Sequence, residues 1–368
     1  MTNFSATDHA MMARALRLAE RGAYTTRPNP MVGCVLAHGD EVVGEGWHQR
    51  QGGAHAEVFA LESAGLRAKG ATAYVTLEPC AHTGSTGPCA DALIGAGVAR
   101  VVAAMRDPFP QVDGAGLERL RAAGIDVESG LMEIQARALN RGFLSRIERG
   151  RPWLRIKLAS SVDGRTAMAN GDSKWISGAA SRADVMRWRA RSGAIMTGSG
   201  TVLADDPQLT VRFDDATGFV APLRVVLDPG LATTTRGRIR EGNAPTLYLH
   251  APDARLPHLR GVTGNPLIEH AAVAMHDGNL DLPAVLQLLA ARGINEVQLE
   301  AGATLAGGFM RSGLVDELLL YVAPVLLGER ARPLLAGLQI DEMAQRLQLR
   351  LVECRHVGDD MRLLFRKE

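Results

Sequence analysis

His55-Ala56-Glu57, then Pro79-Cys80 and, after an interval of eight residues, Cys89 form the stretch on which the reading of this chain turns. One imidazole and two thiols make a three-donor set for Zn2+. Three donors leave the fourth tetrahedral position open, as a catalytic rather than a structural zinc requires. Zinc lowers the pKa of a bound water from roughly 16 to about 7, so hydroxide becomes available without strong base. Glu57 is then placed to carry protons, from the attacking water to the departing group. Residues two apart do not share a helix face. His55 and Glu57 can therefore address one metal only from the irregular start of a helix, where Gly52-Gly53-Ala54 puts them.

H-x-E followed by P-C-x-x-C is the pattern of zinc nucleobase deaminases, and the chain departs from it only in the last spacing. Ala81 through Pro88 lie between the two cysteines, and Ala-His-Thr-Gly-Ser-Thr-Gly-Pro is loop chemistry. The expectation is a strand Thr72–Leu77 ending just before Cys80 and a helix Cys89–Ala96 opening on Cys89. A helix start favours a thiolate through its dipole and its free N–H groups.

Composition narrows the substrate. The 368 residues allow two domains, and 46% hydrophobic content can build two cores. Formal net charge is +1 and aromatics are only 4%. A nucleic-acid enzyme usually carries a basic face and stacking aromatics, so a free small molecule is favoured. Four cysteines, two of them assigned to zinc, make no disulfide framework, and the chain reads as cytoplasmic. Cys34 and Cys354 read as core residues. The N-terminus lacks a secretory pattern, and no apolar run reaches the roughly 18 residues of a membrane span. The longest apolar segment, Leu318–Leu327, reads as a buried strand.

Residues 1–148 read as an α/β/α sandwich. Asp8 caps a helix to about Arg21, and Met31–Ala37 and Glu41–Trp47 form a hairpin around Gly39-Asp40. The His55 helix, strand 72–77 and the Cys89 helix follow. Next come strand Arg100–Met105, helix Gly116–Ala123, strand Asp126–Glu128 and a single helical stretch Met132–Arg146. The link Glu148-Arg149-Gly150-Arg151-Pro152 is the expected boundary, and residues 152–368 form the second domain.

That domain opens with strand Trp153–Ala159 and alternates: helix Ala180–Arg191, strands Ala194–Thr197, Leu223–Leu227 and Thr246–His250, helix Pro283–Arg292, strand Glu296–Glu300 and helix Thr304–Arg311. Strands Glu317–Ala323, Leu347–Glu353 and Arg362–Arg366 then follow without long helices, which implies a mixed sheet with antiparallel strands at its end. No G-x-G-x-x-G occurs. Glu300-Ala301-Gly302-Ala303-Thr304-Leu305-Ala306-Gly307-Gly308 reads equally as a phosphate cradle and as a tight strand–helix turn made for packing. Polar clusters stand at Ser161–Thr166, Gly198–Thr201 and Asp205–Arg212. Only four of the 41 basic residues are lysine, Lys69, Lys157, Lys174 and Lys367. A retained lysine hints at a need for an ammonium that arginine does not meet.

Thr25-Thr26-Arg27-Pro28-Asn29-Pro30-Met31-Val32-Gly33, the long Cys80–Cys89 loop, Lys157–Ser177 and Thr201–Arg212 resemble the bifunctional riboflavin-biosynthesis deaminase–reductase family. The resemblance covers nearly the whole chain. It implies a cytidine-deaminase-like first domain that removes the ring amino group of a phosphoribosyl pyrimidine. It also implies a dihydrofolate-reductase-like second domain that uses NADPH to reduce the ribosyl group, and a homo-oligomer, dimer or tetramer. Carried over by position, His55, Cys80 and Cys89 match zinc ligands and Glu57 the proton shuttle, while Asn29, His48 and His82 line the substrate pocket. Ala159, Trp175, Thr201, Asp205 and Gly302, Ala303, Thr304, Leu305, Ala306, Gly307 and Gly308 match the dinucleotide site. Ser173, Arg189, Leu209, Arg212 and Glu300 match the second substrate site, and Lys157 a lysine beside the reacting sugar carbon. Two positions depart from the family. Ser85 stands where a basic residue would meet the substrate phosphate, and Pro229 replaces a side chain that would reach the dinucleotide.

Overall fold

The computed structural model describes residues 4–82, 87–213, 217–255 and 266–367. The chain divides into two compact units, Met1–Gly150 and Arg151–Glu368.

The first unit runs α1 (Ala6–Glu20), β1 (Gly33–His38), β2 (Glu41–Trp47), α2 (Ala56–Ala64), β3 (Thr72–Val75), α3 (Cys89–Ala96), β4 (Arg100–Ala103), α4 (Ala115–Ala122), β5 (Asp126–Ser129), α5 (Glu133–Leu139) and α6 (Arg141–Arg149). Its sheet has the order β2-β1-β3-β4-β5. β1 pairs antiparallel with β2 and β3, and β3, β4 and β5 run parallel. Successive strand residues point to opposite faces, and the core divides accordingly. Cys34, Leu36, Ala73, Val75 and Val101 pack under α2, α3 and α4. Val35, Ala37, Tyr74 and Val102 pack under α1, α5 and α6.

Helix α2 lies close against the sheet. Its inner stripe is Ala56, Ala60 and Ala64, and it faces Gly44 and Gly46 of β2. A Cβ at Gly44 or Gly46 would stand 2.3 Å from the carbonyl oxygen of Ala60 or Ala56. Small residues on both sides thus fix where α2 begins, and with it where His55 sits.

Two details differ from the sequence reading. Ser5, not Asp8, is the N-cap of α1. Asp8 is its capping-box partner, and its carboxylate also accepts from Tyr74 Oη (2.8 Å) and Arg100 Nη1 (2.7 Å). The helical stretch after residue 132 is two helices broken at Asn140. That amide accepts from Met31 N–H (2.8 Å) and donates to the Met31 carbonyl (2.9 Å), a tertiary bond invisible to helical periodicity.

The second unit runs β6 (Trp153–Ser161), β7 (Arg165–Ala167), α7 (Ala179–Arg191), β8 (Ala194–Gly198), α8 (Ser199–Asp205), β9 (Leu223–Leu227), β10 (Thr246–His250) and β11 (Ile268–Ala272). It continues with β12 (Met275–His276), β13 (Asn279–Leu280), α9 (Leu282–Ala291), β14 (Glu296–Leu299), α10 (Ala303–Arg311), β15 (Glu317–Ala323), β16 (Arg332–Pro333), β17 (Leu349–Val357) and β18 (Asp360–Lys367). Nine strands form one sheet, ordered β11-β10-β9-β8-β14-β6-β15-β18-β17. It is parallel from β11 to β15 and antiparallel at β15–β18–β17, the mixed sheet expected.

Leu154, Ile156 and Leu158 of β6 pack into the apolar core with α9 and α10. Arg155 and Lys157, alternate on the same strand, face the other way, the side on which α7 lies. Arg155 is fully buried there, bonded to Glu317 (2.7 Å) and Glu296 (3.0 Å), with Trp188 of α7 stacked 4.4 Å from its guanidinium. That face combines paired charges with a small apolar cluster of Val185, Leu319, Tyr321 and Leu364.

The helix α8 and strand β11 were not foreseen. Ser199-Gly200-Thr201 has weak helix propensity, and α8 forms because Val202 is drawn into an apolar cluster with Ile195, Leu209 and Tyr248. The apolar segment 318–327 is a buried strand only to Ala323; Val325 and Leu326 are exposed, Leu326 at 75%. Cys34 is buried, but Cys354 is exposed, because it lies on β17, an edge strand with no neighbour beyond it. Among the described residues no helix is long and apolar enough to cross a membrane.

Candidate metal centre and buried charge cluster

His55 is the N-cap of α2, with extended backbone (φ −80°, ψ 167°), and Glu57 lies in the first helical turn. This irregular start lets residues two apart face one point. Cys80 follows β3 in the chain, and Cys89 is the first residue of α3. His55 Nδ1 lies 3.2 Å from Cys89 Sγ and 3.6 Å from Cys80 Sγ, and the Cys89 N–H donates to Cys80 Sγ (3.4 Å). The three ligand atoms all lie within 4.8 Å of one another, the one such group among the described residues.

The electrostatics suit a cation. The Cys80 thiol is held down to about 4 by hydrogen bonds from Cys89 and His55, against burial. The hydrogen bond to Cys80 and burial push Cys89 far above the ordinary thiol range. His55 is raised by its bond to Cys80. Burial pushes the Glu57 carboxyl up to about 7, against its backbone hydrogen bond and the nearby His55. Glu57 Oε2 is buried with no hydrogen-bond partner. Two thiols and an imidazole nitrogen within 4.8 Å of one another fit zinc by donor type and leave its fourth position open, with the orphaned Glu57 carboxylate oxygen as a neighbouring acceptor.

Beside this cluster, His48 stacks edge-on against His55 with centroids 5.5 Å apart. His48 Nδ1 meets the Ala54 carbonyl (3.0 Å), which can only accept, so that nitrogen carries the proton. His48 Nε2 is then an acceptor and takes the Asn29 amide N–H (3.2 Å). His82 is half-buried, and its Nδ1 has no partner. Ser85 lies outside the described residues.

In the second unit, Glu300 follows β14 and its carboxylate accepts from Arg189 Nε (2.7 Å) and Nη2 (2.8 Å) and from Gln298 Nε2 (2.9 Å). Burial raises this carboxyl, but the charge and hydrogen bonds of Arg189, with Lys157 and Gln298, bring it down to about 2. Lys157 is held below its ordinary range by burial, partly countered by Glu300. Its ammonium stands 6.0 Å from the Tyr321 ring centre. Arg189 Nη1 donates to the Thr210 carbonyl (2.9 Å), which fastens the segment carrying Leu209 and Arg212. Leu209 is buried, whereas Arg212 is exposed and bonds to Thr210 Oγ1 (3.2 Å). Gln298 was missed in the sequence; it sits two residues before Glu300, and strand alternation would have placed it on the same face.

Around the other expected cofactor residues, Thr201 Oγ1 accepts the Gly302 N–H (3.3 Å), which joins the start of α8 to the start of α10. Trp175 is 71% exposed, with Arg182 over its ring at 4.6 Å. Ser173 and Ala159 are half-buried and Asp205 is exposed. The glycine-rich turn divides in two. Gly302 and Thr304 are exposed and Ala303 and Leu305 half-buried. Ala306 and Gly307 are buried, Gly307 directly against the Ala336 carbonyl, and Gly308 is half-buried. The Asp228 carboxylate, just before Pro229, is occupied by Ala232 N–H, Thr233 N–H and Thr233 Oγ1.

Comparison with known proteins agrees with this geometry. Residues 5–105 match the cytidine and deoxycytidylate deaminase zinc-binding region, and residues 152–363 match the RibD C-terminal domain. The chain is 49% identical to the riboflavin biosynthesis protein RibD of Escherichia coli over 96% of its length and 98% of that protein. Among solved structures, Acinetobacter baumannii RibD is 43% identical, with a TM-score of 0.89 over 98% of this chain and 99% of that one. A Thermotoga maritima protein described as a diaminohydroxyphosphoribosylaminopyrimidine deaminase/5-amino-6-(5-phosphoribosylamino)uracil reductase is 32% identical, with a TM-score of 0.86 over 98% of this chain and 99% of that one. The chain therefore belongs to the RibD family of riboflavin biosynthesis, in which a zinc-dependent deaminase and an NADPH-dependent reductase share one polypeptide.

Proposed function

We propose that residues 1–148 hydrolyse the ring amino group of a diaminohydroxyphosphoribosylaminopyrimidine, releasing ammonia and 5-amino-6-(5-phosphoribosylamino)uracil. Residues 152–368 then reduce the ribosyl group of that product to ribityl. The observation that carries the first step is the convergence of His55, Cys80 and Cys89 beside the unpartnered Glu57 Oε2. Zinc held by those three supplies the Lewis acidity that brings water's pKa to about 7. Glu57 accepts the proton released as water adds to the amino-bearing ring carbon. It returns that proton to the nitrogen as the carbon–nitrogen bond breaks and ammonia leaves. Asn29, His48 and His82 hold the pyrimidine.

In the reductase, NADPH supplies the hydride. Arg189, Glu300 and Gln298 hold a fixed wall, and Ser173, Leu209 and Arg212 bind the phosphoribosyl group, with Arg212 suited to the phosphate. Lys157 supplies positive charge or a proton to the ring oxygen as the sugar carbon–oxygen bond opens and that carbon takes the hydride. Ala159, Trp175, Thr201, Asp205 and the exposed start of the turn at Gly302–Leu305 hold the dinucleotide; Ala306, Gly307 and Gly308 support it from behind.

A cytoplasmic setting is supported by four cysteines that are all free. A homo-oligomer is supported by edge strand β17, which exposes Leu351 (52%) and Val352 (40%). Replacing Leu351 with lysine is expected to lower the mass seen by sedimentation, and an unchanged mass would rule this edge out. The function itself is tested with the phosphoribosyl pyrimidine, zinc and NADPH, following ammonia and NADPH oxidation separately. Ammonia must appear first and NADPH must then be consumed; failure of either signal removes that half of the proposal.

A further inference from the structure

Building on the reading of His55, Cys80 and Cys89 as a zinc site, we propose that helix α4 is the brace that sets the two cysteines against each other, with Glu78 and Arg119 as its positioning residues. In a C-x-x-C arrangement the backbone of one turn places both sulfurs. Here eight residues of loop intervene, and such an interval imposes no distance of its own.

Helix α4 reaches both ends of that interval. Glu78, two residues before Cys80, is buried at 4% exposure. Its Oε2 accepts the N–H groups of Asp107 (3.1 Å) and Gly114 (3.0 Å), and its Oε1 those of Gly116 (2.9 Å) and Leu117 (3.4 Å). Gly114 is the N-cap of α4 and has no side chain to cap with. Glu78 supplies that acceptor from a distant segment, where the helix dipole favours an anion. The backbones meet directly as well, for a Cβ on Gly116 would stand 1.8 Å from the Pro79 carbonyl oxygen.

Farther along the same helix, Arg119 Nη1 donates to the carbonyl of Ala81, the residue after Cys80 (3.2 Å). Arg119 Nε and Nη2 pair with Asp91, two residues past Cys89 in α3 (2.6 and 2.8 Å). One helix thus grips residues 78 to 81 on one side and α3 on the other.

The test loads the full-length protein with zinc, adds a chromogenic chelator and follows zinc release. Glu78→Gln, Arg119→Ala and Asp8→Asn are compared with wild type. Asp8 is a buried carboxylate of the same unit whose partners are Ser5, Tyr74 and Arg100, so its loss reports on stability alone. Glu78→Gln is expected to release zinc about 10- to 100-fold faster, the effect of losing outer support at a metal site. Arg119→Ala, an exposed pair, is expected to do so about two- to fivefold faster. Asp8→Asn should melt lower yet release zinc at the wild-type rate. Wild-type release from both brace variants overturns the proposal, as does equal acceleration in Asp8→Asn and Glu78→Gln. If Glu78→Gln does not fold, Arg119→Ala against Asp8→Asn decides the question alone. A wild-type chain that retains no zinc overturns the metal site, and the brace with it.

Discussion

At the metal cluster of the first unit a buried carboxylate oxygen and a ring nitrogen stand without hydrogen-bond partners, whereas in the second unit the buried carboxylates of Glu300, Glu296 and Glu317 are each paired with a guanidinium. Glu57 Oε2 and His82 Nδ1 are buried and unbonded, and two thiols crowd one imidazole within 4.8 Å. Such an arrangement is costly until an outside group completes it. In the second unit Glu300 takes three hydrogen bonds from Arg189 and Gln298, and Arg155 lies between Glu296 and Glu317. The first site offers donors to a group from outside the chain; the charges of the second are paired within it. Removing a group from the first should therefore abolish chemistry with little loss of stability. Removing a member of one of the buried ion pairs of the second should damage the fold as well.

The contrast is tested most severely at Glu57. Glu57→Gln is expected to lower ammonia release about 10²- to 10⁴-fold while zinc content, melting temperature and NADPH oxidation hold. A variant that deaminates normally would break the assignment. Next in size, Lys157→Ala should slow reduction about 10²- to 10³-fold, the scale of losing one charged group at a reacting centre, with ammonia release untouched.

Glu300→Gln sharpens the stability side. The Glu300 carboxyl is held at about 2 against an ordinary 4.5. Its lowered value stabilises the fold above pH 4.5, and that contribution is lost as pH falls from 4.5 towards 2. At pH 7 the variant should be less stable by roughly 3 kcal/mol, and the gap should close below about pH 2. Urea unfolding followed by tryptophan fluorescence reads this out, since Trp153, Trp175 and Trp188 all lie in the second unit. A pH-independent difference would remove the charge from the explanation. Smallest is Arg212→Ala, whose side chain is exposed and pairs only weakly with its own loop. It should raise the reductase KM about tenfold and leave kcat and stability unchanged.

The two units were not equally readable. His55, Cys80 and Cys89 could be picked out because a metal imposes residue types regardless of fold, and the apolar periodicity of β1, β3 and β4 carried the sandwich with it. Lys157, Arg189 and Glu300 carry no such local mark. They stand 32 and 111 residues apart in sequence and acquire meaning only when β6, α7 and β14 come together. The break at Asn140, the exposure of Cys354 and the burial of Gly307 were hidden for the same reason, since each depends on a partner elsewhere in the chain.

By itself, then, the sequence determined the donor set for zinc, the carboxylate close to it in the chain, the alternation of helices and strands, and the family. Those are properties of residue type and short spacing, which physics writes locally. Only the tertiary structure decided that Glu78 and Arg119 bond to segments remote from them in sequence, that Arg189 is engaged by Glu300, and that part of the glycine turn is packing. Hydrogen bonds and close approaches between remote segments have no period and no motif. They exist only once the chain has folded.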